Sequence, residues 1–427
     1  MESILACVIT KKLRITVLGL NYTPEPTGIA PYTTKLAEQL AAEGHNVQVL
    51  TGFPHYPEWK LMEGYSGWRK HETINGVRVT RLRHYVPKRV RSLQRIHMEL
   101  SFGLRIFFAR WGAPDIVLLV TPSLFSTGIA LLRARYGRHQ VPAGVWVQDI
   151  YSRGLEETGT AGSMAVVVMR KVEGMILRSA SRVTVIHERF RSYITDSLGV
   201  PHEDVAVIRN WTHLKQQPTV DRKSTRAQFG WKENDIVVLH AGNMGVKQGL
   251  ENVVEAARLA DRSSSRVRFV LLGDGNQRDR IQKSSIGLER IQFIPPLPDQ
   301  QFMDVLRSAD ILLVNEKPGL REMAVPSKLT SYFSSGLPVI AATDAQSTTA
   351  EEIQISHGGI CVKPDSAREL LAAAERLGTD QEFADELGQS GLRFAKESLS
   401  QQVAIVKYSR WLEEMTIAGS TVKDADK

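Results

Sequence analysis

Apolar residues recur along the chain in two rhythms. Short runs that are apolar at nearly every position alternate with stretches where apolar residues return every third or fourth position. The first rhythm marks strands buried on both faces and the second marks amphipathic helices. The runs predict strands at 14–20, 47–50, 77–82, 115–120, 144–148, 182–186 and 205–208, then at 235–241, 266–272, 291–294, 310–314, 338–342 and 359–362. Intervening helices are predicted at 31–42, 123–136, 163–179, 250–260, 299–308 and 327–335.

Because the alternation runs twice, the expected fold is α/β, with two doubly wound, Rossmann-like domains facing across a cleft. Their division falls in "WTHLKQQPTVDR" (211–222), which is polar and has neither rhythm, giving domains 1–212 and 213–399. A last helical stretch, 400–417, carries Tyr408 and Trp411 and is expected to return to the first domain. Ligands of such sheets bind beyond the carboxyl ends of the strands, so chemistry is expected in the loops there.

Composition narrows the setting. With 42% hydrophobic and 23% charged residues, the chain has ample core material for globular domains. Cys7 and Cys361 are too few for a disulfide framework, and no Cys/His cluster has metal-site spacing. No run of about 18 apolar residues predicts a membrane span. The start, "MESILACVITKK", is too short and weakly apolar for a signal peptide, so a cytoplasmic location is expected. Up to residue 212 there are 27 Lys and Arg against 17 Asp and Glu, and beyond it 27 against 29. The first domain therefore either meets an anionic partner or carries a solvated basic surface. No nucleic acid is expected as that partner, because no recognisable module interleaves its basic residues with aromatics.

Four strand-end loops carry candidate chemistry. After the first strand the chain reads "GLNYTPEPTGIAPY", with neither a G-x-G-x-x-G fingerprint nor a phosphate-loop lysine motif. Thr27 and Gly28 there form either a plain tight loop or a close approach to an anion at a helix start. In "GNMGVKQGL" (242–250), Gly242, Gly245 and Gly249 keep the loop low and Lys247 supplies a compact positive charge, a cradle suited to phosphate. Gly273 and Gly275 flank Asp274 in "LLGDG". In "VPSKLTSYFSSGLPVIA", Ser327 is the expected N-cap and Lys328 sits in the first helical turn, where a cation is unfavourable unless an anion lies beside it. Two lysines suit a diphosphate better than a carboxylate.

Residues 81–111 carry eight Lys and Arg and one acid, Glu99. From Leu93 onward, Leu93, Ile96, Leu100, Leu104, Phe107 and Trp111 fall on one helical stripe, with Arg95, Glu99 and Arg105 largely off it. The segment is either a core helix with a basic edge or an interfacial helix that seats the first domain on anionic lipid.

Taken together, "NYTPEPTGIAPYTTKLAEQLAAEGHNVQVLTGFPHYPEW" (21–59), "SFGLRIFF" (101–108), "VWVQDIY" (145–151), "GNMGVKQGLENVVEAA" (242–257), "LLGDG" (271–275) and "VPSKLTSYFSSGLPVIA" (325–341) resemble, in kind and order, glycosyltransferase family 4. These are two-domain GT-B enzymes, and the likeness is to the bacterial exopolysaccharide, colanic-acid-type members. The resemblance implies retaining transfer from a nucleotide diphosphate-sugar to a lipid-linked saccharide acceptor at a membrane, with no cofactor and no obligatory metal. It also implies that Thr27 and Gly28 line the sugar and phosphate side, that Lys247 and Lys328 hold the diphosphate, and that Gly273, Asp274 and Gly275 lie near the nucleoside.

The chain departs from the family pattern at several places. Many members carry two glutamates seven residues apart, the second touching ribose; Ser331 stands at that second position, and Glu316, further upstream in "NEKPGL", can stand for the first. Asn243 replaces a phosphate-binding arginine, and Gln148 replaces a histidine. Beside Gln148, Asp149 is either part of the catalytic centre or a helix N-cap. No pair of carboxylates has the spacing of a retaining hydrolase, so front-face displacement is the expected mechanism. A GT-B sugar-nucleotide epimerase and a catalytically inactive scaffold are the alternatives.

Overall fold

The apolar runs form two sheets. The computed structural model describes residues 12–425, apart from 27, 89–91, 159–161, 213–219 and 320–326. It divides into one unit of Met1–Arg209 with Ala404–Lys427 and a second of Asn210–Val403.

The first unit holds β1 (Arg14–Gly19), β2 (Asn46–Gly52), β3 (Arg69–Ile74), β4 (Val77–Leu82), β5 (Ile116–Val120), β6 (Ala143–Val147), β7 (Arg182–Val185) and β8 (Val205–Val207). Their order is β3-β4-β2-β1-β5-β6-β7-β8, parallel except for β3. Its helices are α1 (Ala30–Ala42), α2 (Ser92–Phe108), α3 (Leu124–Tyr136), α4 (Tyr151–Thr158), α5 (Ser163–Arg178) and α6 (Glu188–Asp196).

The second unit orders β9 (Ile236–Ala241), β10 (Val267–Leu272), β11 (Ile291–Ile294), β12 (Ile311–Asn315), β13 (Val339–Ala342) and β14 (Gly359–Val362) as β11-β10-β9-β12-β13-β14, all parallel. Around it run α7 (Arg222–Gln228), α8 (Glu251–Arg262), α9 (Arg278–Ser284), α10 (Asp299–Ser308), α11 (Ser327–Ser335), α12 (Thr348–Ser356), α13 (Ala367–Thr379) and α14 (Gln381–Ser398). Alternate strand residues bury on opposite faces: Val238, Phe269 and Leu271 in one core, and Val237, Leu239, Val270 and Leu272 in the other. Truncating one such side chain to alanine costs about 2–5 kcal/mol.

Every predicted strand is present, and β3 is additional. Its residues, RKHETI, are half-exposed and carry no apolar alternation. What makes it a strand is the turn after it, where Asn75 (φ 47) and Gly76 (φ 83) both adopt the left-handed region of a two-residue hairpin. Glu72 of β3 also accepts from the wholly buried Arg81 of β4.

In helix α2 most of the predicted stripe faces outward, against the core-helix reading of the segment. Its buried face is Met98, Glu99, Phe102 and Ile106, whereas Leu93, Leu100, Leu104 and Phe107 of the stripe are exposed. Both faces of this helix are apolar, so periodicity alone does not tell the inward one. Trp111 lies beyond the helix end and is buried, donating from Nε1 to the Ile106 carbonyl.

Helix α15 (Gln401–Ala425) packs on the first unit through its part after Ala404. The Tyr408 ring lies 4.9 Å from that of Trp146. Trp411 comes so close to Gly144 of β6 that a Cβ there would lie 2.4 Å from its ring.

Candidate functional site

In the second unit, the candidate residues gather at the carboxyl edge of the sheet around β9 and β12, where the strand order reverses. Two backbone loops clamp each other. Met244 N donates to the Asp274 carbonyl at 2.8 Å, and Gln277 N donates back to Met244 at 3.0 Å. The fit requires glycine: Gly242 (φ 122) and Gly275 (φ 157) are left-handed, and a Cβ on Gly275 would sit 2.5 Å from the Met244 carbonyl oxygen. A Cβ on Gly273 would lie closer still to the Gly242 carbonyl oxygen, at 2.1 Å. Asp274 is exposed and accepts from Gly275 N at 2.8 Å.

Beyond Gly242, Asn243 is exposed, and Lys247 is exposed on a single 3-10 turn, Val246–Gln248. That turn is pinned from below by Asn315, whose Nδ2 donates to the carbonyls of Gln248 (2.8 Å) and Gly249 (3.0 Å) while its Oδ1 accepts from Asn252 (2.9 Å).

Lys328, in the first turn of α11, lies flat against Gly242, and its Nζ is 2.9 Å from Nε2 of His240. An ammonium has no lone pair, so it donates and the imidazole accepts, which places the ring proton on Nδ1. His240 is wholly buried, and burial together with the neighbouring Lys328 charge holds it well below its usual value. Burial also pushes Lys328 down to about 7, while the negative charge of Glu316 acts the other way. Glu316 accepts from the hydroxyls of Thr343 and, at 2.7 Å, Thr349. Ser331 is half-buried one turn along from Lys328. Ser327 begins α11, but its side chain lies outside the described residues.

This arrangement can therefore offer an anion one half-buried cation, one exposed cation and backbone held open by glycine. Sequence reasoning missed His240, which reads as one more residue of an apolar strand, and the Asn252–Asn315 pair beneath the turn.

In the first unit, the strand-end loops enclose a cavity of about 320 Å³ lined in part by Gly28, His55, Tyr56, Trp59, Arg95, Glu99 and Asp149. Gly28 (φ 67) turns the chain into α1; Thr27 lies outside the described residues. Buried Glu25 holds the opposite wall, accepting from the backbone N–H groups of His55 (2.8 Å) and Tyr56 (3.0 Å) and from Asn21 Nδ2 (2.8 Å). Trp59 stands edge-on to His55 and Tyr56 and has φ 55, a strained setting for a bulky residue.

Glu99 is buried at the start of α3, where its carboxylate accepts from Phe125 N at 3.0 Å. Burial nevertheless pushes it up to about 7. Asp149 follows β6 and faces this cavity. The first two amides of α4 go to Glu173, which accepts from Tyr151 N (2.7 Å) and Ser152 N (2.9 Å). Capping is thus supplied by a residue twenty-odd positions away, which no local pattern shows. Gln148 is buried beside Asp149.

Comparison with known proteins identifies the family and the fold. Residues 27–211 match the family described as Glycosyl transferase 4-like domain, and residues 221–394 match Glycosyl transferases group 1. The chain is 33% identical to the colanic acid biosynthesis glycosyl transferase WcaI of Escherichia coli (strain K12), over 84% of this chain and 91% of that protein. Among solved structures it is similar to sucrose-phosphate synthase from Thermosynechococcus elongatus, with a TM-score of 0.71 at 17% identity over 96% of this chain and 100% of that one. It is also similar to Anabaena HepE in complex with UDP, with a TM-score of 0.67 at 15% identity over 94% and 100%. At these identities the structural likenesses speak to fold alone.

Proposed function

The chain belongs to the GT-B glycosyltransferases of the family 4 type, and from that premise we propose that it transfers a sugar from a nucleotide diphosphate-sugar to a lipid-linked saccharide in cell-surface polysaccharide assembly. The observation that carries the donor half is Lys328. A half-buried ammonium in the first turn of a helix, with a neutral imidazole as its near partner, is the position a diphosphate would stabilise most. Lys247 adds charge from the exposed turn, and the Gly242 and Gly273–Gly275 loops let the nucleotide lie close to backbone. No metal is required in this reading, because the lysines offset the charge of the leaving diphosphate.

Transfer proceeds with retention by front-face displacement. The acceptor hydroxyl forms its bond to the anomeric carbon as the carbon–phosphate oxygen bond breaks, and its proton passes to the departing phosphate oxygen. The cavity with Trp59, Tyr56, Arg95 and Asp149 takes the acceptor: an aromatic wall with side chains of both charges suits a neutral polyhydroxyl ring. The epimerase alternative is disfavoured because that reaction needs no lipid-facing segment, and α2 turns a row of apolar residues outward.

The test is thermal shift with UDP, GDP, ADP and CMP on wild type, Lys247→Ala and Lys328→Ala, beginning with UDP because a relative in fold binds it. A rise selective for one diphosphate, lost in Lys328→Ala and reduced in Lys247→Ala, is expected. No shift with any nucleotide overturns the donor assignment, and a trapped glycosyl adduct on Asp149 or Glu316 overturns the front-face mechanism.

A further inference from the structure

Eleven of the seventeen large apolar side chains exposed among the described residues lie on just three helices of the first unit, so they form a feature and not a scatter. On α2 these are Leu93, Leu100, Leu104, Phe107 and Phe108. On α3, Leu132 and Tyr136 lie four residues apart and share a face. On α5, Met164, Val167, Val168 and Met175 follow one helical stripe. The three rows converge, because Leu100, Leu132 and Met175 line one groove of about 530 Å³.

Charge identifies the partner. The only acids on the three helices are Glu99 and Glu173, and both are buried as caps of α3 and α4. Arg105, Arg135, Lys171 and Arg178 on the same helices are exposed, and Arg135 and Arg178 stand at the groove itself, which no acid lines. A protein-binding face would have a mixed polar rim. An apolar floor with an all-basic rim matches the headgroup and acyl boundary of an anionic leaflet, with arginines long enough to reach the phosphates. No described helix is long and apolar enough to cross a membrane, so these helices lie along the surface.

We propose that α3 and α5 join α2 in one docking face for an anionic phospholipid bilayer, and that the groove between them takes in an acyl chain of the leaflet. This rests on the membrane half of the proposed function and extends it from one helix to three.

Sedimentation with vesicles of phosphatidylcholine plus phosphatidylglycerol tests it, with phosphatidylcholine alone as the comparison. Wild type binds the anionic vesicles at low salt. Leu132→Asp and Met175→Asp each lose about tenfold or more in partition, as Phe108→Asp does, because each removes buried apolar area and adds a repelled charge. All three sites are exposed, so thermal unfolding and the nucleotide shift stay unchanged. Leu132→Trp, on the groove, gains emission that brominated acyl chains quench beyond the wild-type level.

If Phe108→Asp releases the protein while Leu132→Asp and Met175→Asp do not, docking is confined to α2 and the inference fails alone. If wild type never sediments, both the inference and the membrane reading fail, and the nucleotide shift still judges the donor half. Absence of excess quenching overturns the groove's role. Salt-insensitive self-association lost in the same variants identifies a second copy of the chain as the partner and overturns the lipid assignment.

Discussion

The two units solve the same problem, holding loops open at the carboxyl edge of a parallel sheet, with different chemistry. In the second unit backbone holds backbone: Gly242, Gly273 and Gly275 let two loops interlock, and Asn315 ties the next turn from below. In the first unit buried carboxylates do the holding, with Glu25 under the 53–59 wall, Glu99 at the start of α3 and Glu173 at the start of α4. Backbone interlocking leaves the charge of a site to be set by side chains such as Lys328. Carboxylate anchoring builds negative charge and pH sensitivity into the frame itself.

The sharpest way to break the contrast is Lys328→Ala. Removing the half-buried cation leaves the interlocked loops intact, so folding is preserved while kcat falls by about 10²–10³, in the range of a lost transition-state charge partner. Loss of fold instead would mean that the lysine belongs to the frame. Glu25→Ala is the converse, leaving two backbone N–H groups buried without acceptors. It is expected to cost about 2–4 kcal/mol by urea unfolding, with nucleotide binding kept.

These variants touch residues of unequal legibility. The strands of both sheets were readable because buried parallel strands are apolar throughout, and the glycine loops were readable because left-handed turns admit little else. Lys328 stood out as a cation at the wrong end of a helix. Glu25, Glu99 and Glu173 were not legible: each acts on amides about 20–30 positions away, and at their own positions they look like ordinary surface acids. The sequence left the inward face of α2 open because its two opposite faces are both apolar, and β3 was missed because its signal is the Asn75–Gly76 turn and not its own residues.

Titration sharpens the contrast further. Glu99 has a folded value raised from 4.5 to about 7, so the folded chain holds the extra proton across that window and loses stability as pH rises through it. Lys328 has a folded value lowered from 10.5 to about 7, so the unfolded chain holds the extra proton and stability rises with pH between those values. Thermal unfolding against pH is expected to show the acid-side slope flattened in Glu99→Gln and the alkaline slope flattened in Lys328→Met. Identical profiles for a variant and wild type would remove that residue from the comparison. Lys247→Ala should do least, because an exposed lysine contributes less than about 1 kcal/mol to a charge pair, or roughly a fivefold change in diphosphate affinity by calorimetry.

The packing of α15 bears on how the protein is made. Trp146 in β6 is covered by Tyr408, and the gap at Gly144 is filled by Trp411, both more than 260 residues further along the chain. During synthesis the second unit is complete at Val403, before the closing helix of the first has been translated. Domains generally fold as they emerge, amino-terminal first. Here the core of the earlier unit takes its covering rings from beyond the whole of the later one, so the first unit's packing around β6 is completed only by residues translated after the second unit.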